Sequence, residues 1–246
     1  MTTVQQYTEP YLGIFRQPPL AGEGVCGVCH TGTGPGYSTC YSCFVTRSQV
    51  SLPTENVVPI SLYQVQSQLW HVLRYYKDGN TAQRGQFGTI VAATIARFTA
   101  AHWACISSLT GGEPTRVTTV PSTRPVPRPG GHPLVQAVSR VPHLIDLYQP
   151  VLVRGPGAVG HVRASDDAFV VTDDVEGHRV LLVEDTFTSG ARTQSAASAL
   201  QLAGAAGVVA VTVGRVIDPG WNENCQRVWA GARRGTFSFD HCVIGH

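Results

Sequence analysis

Apolar positions along the chain fall into blocks of different period. From Ser61, the residues Leu62, Val65, Leu69, Val72, Leu73 and Tyr76 recur at helical spacing, and Lys77-Asp78-Gly79 is a suitable C-terminal stop. Phe87, Ile90, Val91, Thr94, Ile95 and Phe98 make a second helical stripe. A connection of about five residues predicts an antiparallel helical hairpin. After Gly111-Gly112 the period shortens. TRVTTVP (115–121) reads as a strand and residues 122–131 as a loop stiffened by proline. HPLVQAVSRV opens a helix with Pro133 early, where a missing N–H costs little. VLV (151–153), AFVVT (168–172), VLLVE (180–184) and VVAVTVGRVI (208–217) have strand length, and an alanine-rich helix separates the last two. Strand and helix alternate from 115 to 217, with strands apolar on both faces. The fold class predicted is α/β, a mostly parallel sheet flanked by helices. Residues 218–246, with Trp221, Trp229 and Cys242, carry no readable pattern.

In VLLVEDTFTSG (180–190) the strand ends on Glu184 and Asp185 and runs into TFTSG, a loop with three hydroxyl residues and a glycine. Open parallel sheets bind ligands at the carboxyl ends of their strands. A helix N-terminus there offers unpaired N–H groups and a dipole that favours an anion. Thr186, Thr188 and Ser189 add hydroxyl donors, and Gly190 permits close backbone approach. Glu184 and Asp185 accept from hydroxyls and repel phosphate. A ligand that satisfies both halves carries a phosphate and, a few ångströms away, a vicinal diol, as ribose 5-phosphate does.

Four cysteines form C-x2-C-x10-C-x2-C: Cys26, Cys29, Cys40 and Cys43. Two such knuckles supply four thiolates for tetrahedral zinc and leave no open position, so the site predicted is a structural zinc site lying outside the sheet. Cys105, Cys225 and Cys242 lack such partners and read as ordinary buried cysteines. The net charge of +2 and a charged fraction of 14% point neither to a disordered chain nor to a nucleic-acid partner, although a small basic face is compatible with these totals. No basic, then apolar, leader opens the sequence and no apolar run reaches ~18 residues, so no membrane association and a cytoplasmic location are expected.

The 180–192 stretch resembles the phosphoribosyl-pyrophosphate signature of type I phosphoribosyltransferases. That resemblance implies that Glu184 and Asp185 take the ribose 2′- and 3′-hydroxyls. It implies that Thr186, Phe187, Thr188, Ser189, Gly190, Ala191 and Arg192 surround the 5′-phosphate, with Arg192 standing where the family has a hydroxyl residue. The loop after the first strand, with Ser122, Thr123 and Arg124, and also Arg128, would contact pyrophosphate. The glycine-rich loop 154–167 would close over the substrate, with glycines 155, 157 and 160 allowing motion and Arg154, His161 and Arg163 supplying charge. The implied cofactor is magnesium, bound with phosphoribosyl pyrophosphate. The implied reaction transfers phosphoribosyl to an unidentified acceptor with release of pyrophosphate; Trp221 reads as core packing, with stacking on that acceptor as the alternative.

A zinc knuckle (1–50), a helical hairpin (51–110) and a phosphoribosyltransferase-like domain (111–246) follow the order of the ComF-like, or competence-protein F, family. LWHVLRYYKDG, VPST, GHPL and AFVV add looser similarity to that family. The resemblance also implies a rival reading, a non-catalytic phosphoribosyl-pyrophosphate binder or an accessory in DNA uptake. A homo-oligomer is compatible with either. GPGAVG (155–160) also matches G-x-G-x-x-G, but no helical stripe follows it, which argues against a dinucleotide site.

Overall fold

The structure, a computed structural model, describes residues 3–122 and 131–245. In chain order the elements are α1 (Val4–Thr8), α2 (Tyr41–Arg47), β1 (Val57–Tyr63), α3 (Gln68–Asp78), α4 (Thr81–Ala101), α5 (Trp103–Thr110), β2 (Arg116–Thr119), α6 (Pro133–Val138) and α7 (Pro142–Ile145). They continue with β3 (Leu152–Arg154), β4 (Phe169–Val171), β5 (Arg179–Phe187), α8 (Ala191–Leu202), β6 (Gly207–Val216) and α9 (Glu223–Arg234). The central sheet has four strands in the order β1-β6-β5-β2, all parallel, and helices flank it. β5 and β6 are central and buried on both faces, which is why they read as unbroken apolar runs.

One sequence-based expectation fails at β1. The helical stripe begins at Gln68 and not at Ser61; residues 57–63 are a buried strand. Leu62 and Val65 fall on the helical period by coincidence. The β-branched run Val57-Val58 and the long-range partner β6 decide for strand. Pro59 is tolerated because β1 lies at the sheet edge. The 51–110 segment thus supplies a strand to the same sheet as the segment after 111. The hairpin itself is present but tighter than predicted: only Gly79 and Asn80 separate α3 from α4. Asn80 caps α4 through a reciprocal pair with Gln83.

β3 and β4 do not join the parallel sheet. They form a separate antiparallel ribbon, Leu152 opposite Val171, with Val153 and Val170 each 44% exposed. Residues 147–149 take the free edge of β2 instead, Val117 N–H donating to Leu147 O and Gln149 N–H to Val117 O. Between β3 and β4 the backbone folds onto itself, with Gly155 N–H donating to Ala168 O and Gly157 N–H to Asp167 O. A Cβ at Gly155 would stand 2.2 Å from Asp167 O and one at Gly157 2.6 Å from Asp167 C, so glycine at both positions permits the close packing seen here. No α-helix follows GPGAVG, as expected.

α8 is buried from Thr193 to Leu200, including the polar side chains of Thr193, Gln194, Ser195 and Ser198. Each of these polar groups has a partner. The Gln194 amide exchanges hydrogen bonds with the Thr54 backbone, and Ser198 Oγ accepts from Leu52 N–H and donates to Asp166. The helix that follows the acidic strand is thereby pinned on several sides, as buried polar groups require.

The cysteine module is not an appendage. Cys26, Cys29, Cys40 and Cys43 share one core with Val57, Val180, Leu182 and Ala196, against one face of the sheet. At the opposite face Phe15, Phe237 and Phe239 pack together with ring centroids 5.0–5.8 Å apart, which ties the last residues to the first. No single described helix is long and apolar enough to cross a membrane.

Candidate functional site

A crevice of about 770 Å³ opens at the carboxyl ends of the parallel strands. Tyr63 from β1, Val216 from β6, Ser122 after β2 and the end of β5 all line it. So do Thr186, Thr188, Ser189, Gly190, Ala191 and Arg192. The predicted loop residues therefore converge on one cavity, with one correction. Phe187 is 1% exposed and points into the core, where Arg215 stacks over its ring at 5.2 Å. Its neighbours face outward because β5 extends to Phe187, so side chains alternate through the acid pair. β2 pairs only as far as Val183, while β6 continues opposite Glu184, Thr186 and Phe187. The carboxylates thus occupy the step where the sheet narrows from four strands to three.

Glu184 and Asp185 form part of the crevice wall but are each only 2% exposed. Both are buried in ion pairs. Lys77 Nζ donates to Asp185 Oδ2 at 2.7 Å, and the Tyr76 hydroxyl donates to the same oxygen. Arg192 Nη2 lies 3.2 Å from Glu184 Oε1, and Thr193 Oγ1 donates to Glu184 Oε2. Burial alone would raise both carboxyl pKa values. For Asp185, Lys77 and Arg192, with the hydrogen bonds from Lys77 and Tyr76, outweigh burial and hold the group well below the usual carboxylate range. For Glu184, burial prevails over Arg192 and Thr193, with Asp185 adding repulsion, so its pKa lies above the ordinary value. The two adjacent acids are driven apart, Asp185 firmly ionised and Glu184 the readier to hold a proton. Burial also raises the Tyr76 hydroxyl, and the Asp185 charge adds to it, so Tyr76 stays a donor.

Opposite the acids, Gly190 takes φ +85 and ends the turn into α8. A Cβ there would meet the Phe187 ring at 2.4 Å, so both conformation and space require glycine. No Gly190 side chain caps α8; Ser189 Oγ accepts a long 3.4 Å bond from Ala191 N–H. The first turn of this twelve-residue helix therefore brings a partial positive charge to the crevice. Gly160 and His161 of the 154–167 loop also reach it. Arg154 does not: it donates to Ala168 O and Gly157 O and stacks on Phe169. Arg163 is exposed and away from the cavity. Trp221 is 67% exposed and absent from the lining, so it neither packs in the core nor faces the crevice. Thr123, Arg124 and Arg128 lie outside the described residues.

Behind the loop stands the cysteine cluster. All four thiol sulfurs lie within 4.8 Å of one another, with Cys29 and Cys40 3.7 Å apart. A zinc–sulfur bond of about 2.3 Å in a tetrahedron sets the sulfurs about 3.8 Å apart, so the donor set fits zinc. Cys40 is the N-cap of α2 and Cys43 lies in its first turn, where the helix dipole favours thiolate. Arg215 is 5% exposed and bridges this cluster to the crevice loop. Burial opposes its charge, but the thiolates of Cys29, Cys40 and Cys43 hold its pKa above the ordinary value. Its Nη1 donates to Thr188 O at 2.7 Å.

A scan against protein-family models finds no match for this chain, and a search of curated proteins finds none either. Magnesium is a hard cation that favours carboxylate, phosphate and water oxygen. The acid pair supplies the right atoms, but Lys77 and Arg192 already neutralise them. The donor set fits an ion carried on a ligand's phosphates better than one held in a protein cage. Lys77 and Tyr76 escaped the sequence reading, Lys77 passing for a helix stop. They stand 108 and 109 residues from Asp185, and no local pattern announces such a pairing.

Proposed function

We propose that the crevice binds phosphoribosyl pyrophosphate with magnesium and that the protein is a phosphoribosyltransferase of the type I, ComF-like kind. The observation that carries the reading is the facing of two unlike halves across one cavity: a buried acid pair, and a hydroxyl-rich turn into the N-terminus of α8. The turn suits the 5′-phosphate. Glu184 and Asp185 suit the ribose diol once Lys77 and Arg192 swing toward the ligand's phosphates, which relieves both carboxylates of their cationic partners and leaves Tyr76 and Thr193 in place. Both cations lie on the rim, with side chains 26% and 32% exposed, so the exchange needs no movement of the sheet. In the reaction the bond from C1 to the pyrophosphate oxygen breaks and a bond from C1 to the acceptor forms. Lys77 and Arg192 offset charge on the departing pyrophosphate.

Isothermal titration with phosphoribosyl pyrophosphate and magnesium tests the binding. Asp185→Asn removes a charge-assisted hydrogen bond worth about 1.5–3 kcal/mol, a loss of roughly 10- to 150-fold in affinity. No binding by the wild-type chain would overturn the proposal. Binding with no pyrophosphate release against a panel of bases and amines would assign the non-catalytic role.

A further inference from the structure

The cysteines that read as ordinary are not all so. His102 sits at the elbow where α4 ends and α5 begins, and Cys105 lies one turn further on the same face of α5. Cys242 arrives from the C-terminal segment, which the Phe15, Phe237 and Phe239 cluster holds against α4. The donor atoms of His102, Cys105 and Cys242 all lie within 4.8 Å of one another. This cluster shares no residue with the crevice or with the four-cysteine module.

The imidazole is oriented for ligation. His102 Nε2 lies 2.7 Å from Phe239 O, and a carbonyl oxygen can only accept, so Nε2 carries the proton. Nδ1 then presents its lone pair, and Cys105 Sγ stands 3.9 Å from it. Metal-bound histidines commonly donate their other ring N–H to a backbone carbonyl in this way. The ring is also fixed by Phe98, 4.7 Å away between centroids. Zinc bonds of about 2.3 Å to sulfur and 2.05 Å to nitrogen set the two ligand atoms roughly 3.5–3.8 Å apart, depending on the angle at the metal. The observed separation needs only a slight inward shift. His102 and Cys105 are buried and Cys242 is half-buried, so the cluster reaches solvent at the Cys242 side.

We propose that His102 Nδ1, Cys105 Sγ and Cys242 Sγ bind a second zinc ion, with water as fourth ligand on the Cys242 side. Two thiolates and an imidazole favour a thiophilic ion over magnesium or calcium. Binding expels the two thiol protons and fastens the C-terminal segment to the α4–α5 elbow.

The test is zinc counting by mass spectrometry on the full chain, purified and zinc-loaded under thiol reductant. One zinc beyond that of the four-cysteine module is expected, and Cys242→Ser and His102→Gln should each lose that ion alone. Cys242→Ser, at a half-buried position, keeps the test valid if the His102 variant fails to fold. The same zinc count in wild type and Cys242→Ser would overturn the proposal, as would a Cys105–Cys242 disulfide persisting under reductant. Uptake of copper(I) with no second zinc would overturn the assignment to zinc.

Discussion

Replacing Asp185 by alanine tests whether the acid pair is a structural keystone. Asp185 is 2% exposed and accepts from Tyr76, itself 1% exposed, and from Lys77 Nζ at 2.7 Å. Breaking a buried ion pair by removing one partner costs about 3–5 kcal/mol. Lys77 is 26% exposed and can turn to solvent, which argues for the low end of that range. The Tyr76 hydroxyl has no such escape, and a buried donor left without a partner costs about 1–3 kcal/mol. The two costs overlap, since both count partners left unpaired, and together they predict a loss of about 3–5 kcal/mol in Asp185→Ala. In Asp185→Asn the amide oxygen still accepts from Tyr76, so the loss should be about half as large. Urea unfolding is the assay, with a lowered midpoint at unchanged slope. A double-mutant cycle with Tyr76→Phe should recover part of the loss, because the orphaned hydroxyl is then gone. An Asp185→Ala chain within about 0.5 kcal/mol of wild type would refute the reasoning, since surface changes have effects of that size.

Three further outcomes follow from the same geometry. Asp185 has a depressed pKa, so its stabilisation is present above its unfolded value of about 3.9 and is lost as pH falls below it; Glu184 is raised, so wild type loses stability as pH rises from about 4.3 through its folded value. Urea midpoints measured against pH should therefore show Glu184→Gln gaining on wild type as pH rises through that second window, and Asp185→Asn showing a flatter acid limb. Chelating zinc from the four-cysteine module should raise amide exchange at residues 186–190 as well as in the module, because Arg215 and the shared core link the two; exchange confined to residues 20–50 would contradict this. Gly190→Ala should destabilise by more than about 1 kcal/mol in thermal unfolding, since it meets both a positive φ and the Phe187 ring.

Features whose partners lie close in sequence were legible without a structure. The two C-x2-C knuckles specify a tetrathiolate because each short span alone nearly determines its geometry. The apolar run at 180–183, the acids after it and the hydroxyl-rich turn into α8 follow from strand burial, strand-end position and Gly190. The central parallel strands were equally readable, because burial on both faces leaves an unbroken apolar run. The tertiary structure decided everything that depends on distant partners. β1 was mistaken for the start of a helix because its pairing with β6 is separated from it by about 150 residues of chain. β3 and β4 had strand composition, but only long-range packing put them in a ribbon of their own. The engagement of Asp185 by Lys77 and Tyr76, the bracing of the crevice loop by Arg215 and the meeting of His102 and Cys105 with Cys242 are of the same kind. A side chain's charge and shape are written in the sequence, whereas its neighbours are set by the cooperative burial of the whole chain, which no local period encodes.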